Sequence, residues 1–228
     1  MTEIQDRITS FWSTVASGYE AYSGNVPARD SDEYDAWVRL FAELLPPAPA
    51  DVLDVATGTG FAAKIEAKLG HRVTGIDLSE SMLAEANAAA ARDGLTIRFK
   101  LEDAIAPTLA PASFDALTSR HLIWTLRDVA TALANWRRLL RPGGRLIAID
   151  SFQPMPEPEA ENDLFSQYYT REMCASLPGW KDSSPDSMAA LIAAAGFKDV
   201  AMRPLDEIHR LALNPGHERP SYALTARA

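Results

Sequence analysis

Apolar residues recur every three or four positions in the first 45 residues, a spacing typical of helices with one buried face. In the segment from Ile4 to Tyr22 these residues are Ile4, Ile8, Phe11, Trp12 and Val15. In the segment from Ser31 to Leu45 they are Tyr34, Trp37, Val38, Phe41, Leu44 and Leu45. Pro46, Pro47 and Pro49 then end the helical pattern, because proline cannot continue a helix. We therefore predict two amphipathic helices ahead of the main fold.

From residue 51 onward, short apolar runs alternate with amphipathic helical segments. The predicted strands are Val52–Val55, Arg72–Ile76, Thr96–Leu101, Phe114–Ser119 and Arg145–Asp150. The predicted helices between them end at Leu69, span Ser79–Arg92 and run from Val129 to Leu140, where Arg141-Pro142-Gly143-Gly144 forms a turn. This alternation indicates an α/β fold with a mostly parallel sheet that helices cover on both faces.

The C-terminal part adds one helix and two strands to this pattern. Ser184 and Pro185 are suited to begin a helix that ends at Gly196. We predict one strand at Val200–Pro204 or at Ile208–Leu213, and another at Ser221–Ala226.

Residues 152–186 interrupt the alternation of strands and helices. This segment contains several prolines and the aromatic residues Phe165, Tyr168, Tyr169 and Trp180. Between Glu157 and Asp186 seven acidic residues face two basic ones, for a net charge of −5. Two interpretations stay open, a lid over a binding site or a solvated surface loop with one helix.

Length and composition describe an ordinary globular chain. With 228 residues we predict a single domain, divided into an N-terminal helical cap (1–48), a cofactor-binding core (51–151), a lid-like insertion (152–186) and a C-terminal helix and hairpin (187–228). The net charge of −9 disfavours a nucleic acid or an anionic membrane as partner. The single cysteine, Cys174, excludes a disulfide framework within the chain, and the four histidines show no metal-ligand spacing.

Cellular location is predicted from the same composition. Glu3 and Asp6 stand where a signal peptide carries basic residues, and no apolar stretch approaches the ~18–20 residues of a membrane helix. We therefore expect a cytoplasmic protein.

The strongest chemical signal is the glycine-containing turn after the first predicted strand, Val52 to Ala63. Gly58, Gly60 and Ala63 loosely fit the dinucleotide fingerprint, which on its own is weak. Asp54 lies four residues before Gly58, where a carboxylate would repel a pyrophosphate. A nicotinamide-dependent oxidoreductase stays as an alternative, but the sequence lacks the Tyr-x-x-x-Lys pair of the short-chain type.

Two further acids end the next two predicted strands. Asp77 follows Gly75-Ile76, and its two oxygens suit the vicinal hydroxyls of a ribose. Asp103 follows Leu101-Glu102 and is placed to accept from an adenine amino group. Together with Asp54, these acids predict a ligand with hydroxyls, an amine and positive charge.

The order of these motifs resembles the class I S-adenosylmethionine-dependent methyltransferases. The matching segments are Leu53–Gly60, Gly75–Ser79 with Met82-Leu83, Glu102–Ala104, Phe114–Ala116 and Leu140–Leu146. The resemblance implies a three-layer Rossmann-like sandwich: a seven-stranded, mostly parallel sheet with an antiparallel C-terminal strand, plus a helical cap and lid. One departure is Ala56, which occupies the first position of the family's glycine triplet.

The resemblance also implies the residues that hold S-adenosyl-L-methionine and its product, S-adenosyl-L-homocysteine. Asp54 and Gly58 correspond to positions that hold the methionine part, Asp77 to the ribose position, and Leu78 with Met82 to the adenine flanks. The expected cofactor-binding set is Asp54, Ala56, Gly58, Gly60, Asp77, Leu78, Met82, Asp103, Ala104 and Arg120.

On the substrate side, His121 follows the fourth predicted strand, a position that faces the methyl group in similar methyltransferases. We predict His121 as a general base, with a histidine that bonds backbone or shapes the pocket floor as the alternative. Arg120 is suited to the cofactor carboxylate or to an acidic substrate. The expected substrate and lid residues are Tyr19, Tyr22, Tyr168, Tyr169 and Arg171, whereas Phe11 and Trp12 are interpreted as packing residues.

The predicted function is methyl transfer to an oxygen, nitrogen or carbon of a small molecule, in secondary metabolism, by a monomer or homodimer. A cofactor-binding regulatory or scaffold subunit without turnover is the alternative from a non-enzyme class, because fold alone does not determine function.

Overall fold

Seven strands form one sheet in the order β3-β2-β1-β4-β5-β7-β6. The computed structural model describes residues 3–22, 26–151, 164–182, 184–212 and 221–228. The strands are β1 (Asp51–Val55), β2 (Arg72–Asp77), β3 (Arg98–Leu101), β4 (Phe114–Arg120), β5 (Leu140–Ser151), β6 (Lys198–Pro204) and β7 (Ser221–Arg227). Strands β1 to β5 pair in parallel, and β7 is antiparallel to both β5 and β6. The predicted seven-stranded, mostly parallel sheet is confirmed.

The strand order reverses between β1 and β4, and this reversal positions the site. Strand β1 pairs with β2 on one side and with β4 on the other. The helices that follow these strands lead the chain in opposite directions, which opens a crevice at the carboxyl ends. The residues that end β1, β2 and β4 therefore face a common space.

Helices cover both faces of the sheet. They are α1 (Glu3–Val15), α2 (Tyr19–Tyr22), α3 (Asp32–Leu44), α4 (Phe61–Lys68), α5 (Glu80–Arg92), α6 (Val129–Leu139), α7 (Leu164–Tyr168), α8 (Arg171–Ser176), α9 (Pro178–Lys181), α10 (Pro185–Ala194) and α11 (Asp206–Leu211). Two large apolar cores result, one under α6 and α10 and one under α3, α4 and α11. Helix starts follow the predicted chemistry, since Ser31, Ser79 and Ser184 each accept a backbone N–H in the first turn.

Two elements differ from the sequence prediction, and the structure decides between the two sites predicted for the penultimate strand. The first helix is interrupted, because α1 ends at Val15 and a 3₁₀ turn, Ala16–Gly18, separates it from α2. Of the two sites for the penultimate strand, 198–204 is a strand and 206–211 is helix α11. Strand β5 already begins at Leu140, which pairs with Phe114 before the register shifts at the glycine turn.

Within 164–182 the chain forms three short helices, α7 to α9, instead of a solvated loop with one helix. Tyr169, Cys174 and Leu177 are buried there against Ile8 and Phe11 of α1 and against Trp124. The predicted lid region thus contributes a third apolar core, although residues 152–163 lie outside the described part of the chain.

Gly179 fixes the contact between α9 and the 3₁₀ turn Ile123–Thr125. A Cβ at Gly179 would lie 2.4 Å from the Ile123 carbonyl oxygen and 2.9 Å from the Trp124 Cα. Because both atoms belong to the backbone, a side chain forces the two elements apart. We expect Gly179→Ala to lower the free energy of unfolding by about 1–3 kcal/mol in urea titrations. The control Gly18→Ala, with nothing within 4 Å of its Cβ, should shift it by less than about 0.5 kcal/mol; equal effects would refute a tight contact.

Candidate functional site

A pocket of about 800 Å³, including its open mouth, lies at the carboxyl ends of β1, β2 and β4. Helix α1 forms its other wall through Gln5, Ile8, Thr9 and Trp12. Ten of the predicted residues line it: Tyr19, Ala56, Gly58, Asp77, Leu78, Met82, Asp103, Ala104, Arg120 and His121. Its lining combines apolar side chains with a few polar groups, as small-molecule sites do.

The turn after β1 owes its shape to three residues with positive φ angles. Ala56 has φ 54°, Gly58 54° and Gly60 82°. For Ala56 this left-handed conformation is costly, since its Cβ crowds the backbone, whereas glycine adopts it freely. Gly60 caps α4 and does not line the pocket, and a Cβ there would lie 3.3 Å from the Ala86 Cβ. Gly60 therefore serves packing between the turn and α5.

Asp77 ends β2 with a carboxylate that two backbone groups hold in place. Gly58 N–H donates to Oδ2 at 2.9 Å and Ser79 N–H to Oδ1 at 2.9 Å. Burial raises the pKa of Asp77, and these two N–H groups oppose the shift. Each oxygen keeps further acceptor capacity toward the pocket, as required for two neighbouring hydroxyl groups.

Asp103 connects the end of β3 to the N-terminal cap. Its Oδ1 accepts the Ile105 N–H at 2.8 Å, and its Oδ2 lies 3.2 Å from Nη2 of Arg127. The Arg127 Nε in turn donates to Oε1 of Gln5 at 2.6 Å. Helix α1 is thereby tied to the strand tip on which Asp103 lies. Leu78, Met82 and Ala104 line the pocket with apolar atoms suited to a planar ring.

Asp54 does not line the pocket, although it was predicted beside Gly58. Its buried carboxylate accepts from the Thr57 hydroxyl at 2.6 Å and lies 3.2 Å from the Thr118 hydroxyl. Burial raises the pKa of Asp54 to about 6, against the effect of these hydroxyls. The structure thus places Asp54 beneath the turn, where it supports Thr57.

Glu66 forms a buried acid pair with Asp54 across Thr118. The Thr118 hydroxyl is 2.7 Å from Oε1 of Glu66, whose side chain is fully buried. Burial, and then the nearby Asp54 carboxylate, hold the pKa of Glu66 well above its usual range. Because a hydroxyl has one hydrogen, it donates to only one of the two carboxyl groups at a time, so the pair is satisfied best when one of the acids carries a proton.

This acid pair predicts a stability that falls as pH rises. A carboxyl with a raised folded-state pKa binds its proton more tightly in the folded chain. Its stabilising contribution is present below its ordinary pKa, about 4, and is lost as pH rises through the folded-state pKa. We expect the free energy of unfolding to fall between pH 5 and pH 8, and this fall to be smaller in Glu66→Gln than in the unchanged protein by about 1 kcal/mol or more. Urea titrations at both pH values measure it, with exposed Glu3→Gln as control. An unchanged difference between the two pH values in Glu66→Gln would contradict the prediction.

His121 lies at the tip of β4 in a strained, fixed backbone conformation. Its φ is 56°. Its N–H donates to the Ile149 carbonyl at 2.9 Å, and its own carbonyl accepts the Trp124 indole N–H at 3.0 Å. Strain of this kind persists only where surrounding contacts impose it. The imidazole lines the pocket, with Nδ1 3.8 Å from Oδ1 of Asp150 on β5.

Arg120, the residue before His121, places a cation in the pocket wall between aromatic rings. Its guanidinium carbon lies 4.9 Å from the ring centre of Trp37 and 4.6 Å from that of Phe61. Burial lowers the pKa of Arg120, but a guanidinium stays charged in proteins. Ser119 on β4 pairs with Val55 at the end of β1. The next residue, Arg120, therefore holds its positive charge near the turn.

Sequence reasoning missed part of the pocket wall. Trp12, interpreted as packing, lines the pocket and donates its indole N–H to the Tyr169 hydroxyl at 3.1 Å. Tyr168, Tyr169 and Arg171 lie outside the lining, and the Tyr22 side chain lies outside the described part of the structure. Tyr169 is fully buried and its hydroxyl also forms a hydrogen bond with the Thr125 hydroxyl at 2.8 Å, so it joins the segment 164–182 to the turn after β4.

In the described ranges, no group of three or more His, Cys, Asp or Glu side chains is arranged to hold a metal ion. None of the helices in this part of the chain has the length and apolar character needed to cross a bilayer.

Fold and pocket together define a nucleoside-binding α/β enzyme. Residues 53–148 match the family model described as a methyltransferase domain. The chain is 32% identical over 180 residues to a demethylmenaquinone methyltransferase of Thermus thermophilus, covering 71% of this chain and 80% of that protein. It is 32% identical over 222 residues to a ubiquinone/menaquinone biosynthesis C-methyltransferase, UbiE, of Paracoccus denitrificans, covering 85% and 84%. The chain belongs to the class I S-adenosylmethionine-dependent methyltransferases.

Solved structures agree with this fold. The [4+2]-cyclase SpnF superposes with a TM-score of 0.67 at 20% identity, covering 99% of this chain and 93% of that one. A 1,6-didemethyltoxoflavin-N1-methyltransferase of Burkholderia thailandensis superposes with a TM-score of 0.68 at 23% identity, covering 99% and 88%. At these identities the likeness concerns the fold.

The pocket chemistry fits S-adenosyl-L-methionine, the cofactor of this family. The Asp77 carboxylate is held at a strand tip with acceptor capacity left for a diol. Leu78 and Met82 offer apolar surface for the adenine, and the Arg120 guanidinium offers charge for a carboxylate. The chain is thus an enzyme for S-adenosylmethionine-dependent methyl transfer to a small molecule.

Proposed function

We propose that the acceptor is a planar ring compound with an acidic hydroxyl group, of the hydroquinone type, and that His121 removes its proton. The observation that carries this proposal is the position of the His121 imidazole in the same pocket as the Asp77 carboxylate. A base on the wall of a cofactor pocket is placed to take a proton from an acceptor bound beside the methyl group.

In this proposal, different pocket residues contact the ribose and the adenine of the cofactor. Asp77 accepts the ribose hydroxyls, Leu78 and Met82 flank the adenine, and the Asp103 carboxylate accepts from the adenine amine. S-adenosylmethionine supplies an electrophilic methyl group on a sulfonium. Held in one pocket, acceptor and methyl group react without the entropic cost of a bimolecular encounter, and α1 excludes water.

Arg120 holds the cofactor carboxylate in this proposal. The β1–β4 pairing of Val55 with Ser119 sets Arg120 beside Ala56 at the start of the turn. Trp37 and Phe61 keep the guanidinium from turning away. The alternative partner, an acidic group on the substrate, would leave the cofactor carboxylate without a cation among the pocket-lining residues.

The choice of a ring as acceptor follows from the side chains around His121. Trp12 and Tyr19 line the same pocket and present aromatic surface, which packs well against planar compounds. The relatives from Thermus thermophilus and Paracoccus denitrificans carry names that specify quinone precursors. A hydroquinone-type ring suits both the aromatic wall and the base.

An acceptor panel with radiolabelled S-adenosylmethionine tests this proposal. We expect labelled product with naphthohydroquinones or benzohydroquinones and none with their dimethyl ethers, which have the same ring but no hydroxyl proton. Exclusive labelling of aliphatic amines would overturn the hydroquinone assignment. Cofactor binding in calorimetry without product across the whole panel would instead favour a regulatory or scaffold subunit.

We also propose that the protein acts in the cytoplasm as one domain, a monomer or homodimer. The net charge of −9 and the single, buried cysteine support this assignment. Light scattering of the purified protein measures its mass directly, and a mass of four or more chains would contradict the proposal.

A further inference from the structure

We infer that Asp150 is a positioning residue for His121. In this carboxylate–histidine pair, the Asp150 carboxylate favours the form of the imidazole in which Nε2 is the basic nitrogen that faces the acceptor. This inference rests on the proposed function of His121. Asp150 belongs to none of the motifs that carry the family resemblance, and it lies below the pocket surface.

The backbone holds the Asp150 carboxylate in one orientation. Asp150 is 2% exposed. Its Oδ2 accepts the Ile123 N–H at 2.9 Å, and its Oδ1 accepts the Ser151 N–H at 2.8 Å. Both oxygens are therefore fixed without a bound ligand, and the carboxylate needs no reorganisation when a charge develops beside it.

The sheet register brings the imidazole to that carboxylate. Arg120 on β4 pairs with Ile149 on β5, so the next residues of the two strands, His121 and Asp150, lie side by side. The His121 N–H still bonds to the Ile149 carbonyl. The left-handed φ of His121 turns the chain at this point, and its imidazole lines the pocket with Nδ1 3.8 Å from Oδ1 of Asp150.

This distance indicates an electrostatic role. At 3.8 Å the contact is longer than a hydrogen bond but within ion-pair range. A negative charge there favours a proton on Nδ1, which leaves Nε2 as the basic nitrogen. When the acceptor O–H bond breaks, its proton passes to Nε2, the electron pair stays on the acceptor oxygen, and Asp150 stabilises the imidazolium. The proton then leaves to solvent.

Other charged groups also face this pocket and set the electrostatic background. They are Arg120 next to His121 on β4, Tyr19 from α2, Asp77 from β2, and Glu102 and Asp103 after β3. Arg120 disfavours a second positive charge at His121, whereas the acids favour it. Asp150 differs from these acids in its ion-pair distance to the imidazole and in its fixed orientation.

The first test measures the unchanged protein, and a variant serves only to assign its signals. Nitrogen-15 NMR of the histidine side chains, assigned with the His121→Asn variant, shows which nitrogen carries the proton in neutral His121. We expect the Nδ1–H form. A predominant Nε2–H form overturns the inference, and this result does not depend on any acceptor being known.

The second test is a double-mutant cycle between His121→Asn and Asp150→Asn. With a hydroquinone acceptor, we expect Asp150→Asn to lower kcat about 10- to 100-fold and to move the acidic limb of the pH–kcat profile to lower pH. The KM and the affinity for S-adenosyl-L-homocysteine should stay within about threefold of those of the unchanged protein. In the His121→Asn background the same substitution should have no further effect on kcat. Equal losses in both backgrounds would show a purely structural Asp150 and overturn the inference. Absence of turnover in the unchanged protein would count against the proposed function and leave the NMR result as the test of the pair.

Discussion

Replacement of Asp77 by asparagine is expected to weaken binding of S-adenosyl-L-homocysteine at least about 100-fold, equivalent to about 2.7 kcal/mol. The carboxylate accepts the backbone N–H groups of Gly58 and Ser79 and also faces the pocket. An amide offers one acceptor oxygen, so its NH₂ group takes the place of an oxygen that accepts from the N–H of Gly58 or Ser79. That N–H loses its acceptor and one ribose hydroxyl loses a carboxylate oxygen to donate to, at a cost of about 1–3 kcal/mol for each unpaired group.

Calorimetric titration measures this loss, and Asp128→Asn provides the matched control. Asp128 accepts the Thr131 N–H at the start of α6 and lies outside the pocket. The same chemical change there should lower stability slightly and leave the affinity within about twofold, since a cap contributes to helix stability only. Equal affinities of the two variants would remove Asp77 from the binding site.

Replacement of His121 by asparagine is expected to lower kcat about 100- to 1,000-fold, with product-cofactor affinity unchanged within about threefold. Asparagine is chosen because it tolerates the left-handed backbone that His121 adopts with φ 56°. An alanine at this position would combine loss of the base with backbone strain. Steady-state kinetics with the best hydroquinone acceptor, beside calorimetry, separates the two effects.

His209→Asn is the control for this substitution. His209 lies on α11 and is exposed, away from the pocket lining. We expect its kinetics to match the unchanged protein. A His121→Asn enzyme that keeps more than about a third of the normal kcat would assign His121 to the pocket floor, in the role of a structural residue.

The sheet and the glycine turn follow from local sequence, because alternating apolar strands and helices have distinct periods. The roles of the three acids do not. Asp54 lies inside β1, followed by Val55, and points to Thr118, whereas Asp77 is the last residue of β2 and borders the pocket. In the sheet register Asp54 pairs with Gly75, so Asp77 lies two positions further along the same face, level with the turn after β1, where its side chain reaches the pocket.

Contacts between distant elements account for the remaining differences. Trp12 lies on the apolar face of α1, and the helical period does not distinguish a residue facing a core from one facing a pocket. Asp150 becomes a neighbour of His121 only through the β4–β5 register. The carboxyl group of Glu66 comes close to that of Asp54 only because α4 packs against β1. A single sequence does not specify such registers and packings.

A crystal structure with bound S-adenosyl-L-homocysteine shows directly whether this pocket holds the cofactor beside His121. We expect both ribose hydroxyls within hydrogen-bond distance of the Asp77 carboxylate, the carboxylate of the product at Arg120, and the sulfur facing the space between His121 and Trp12. A ribose away from Asp77, or a sulfur turned from His121, would contradict the site described above.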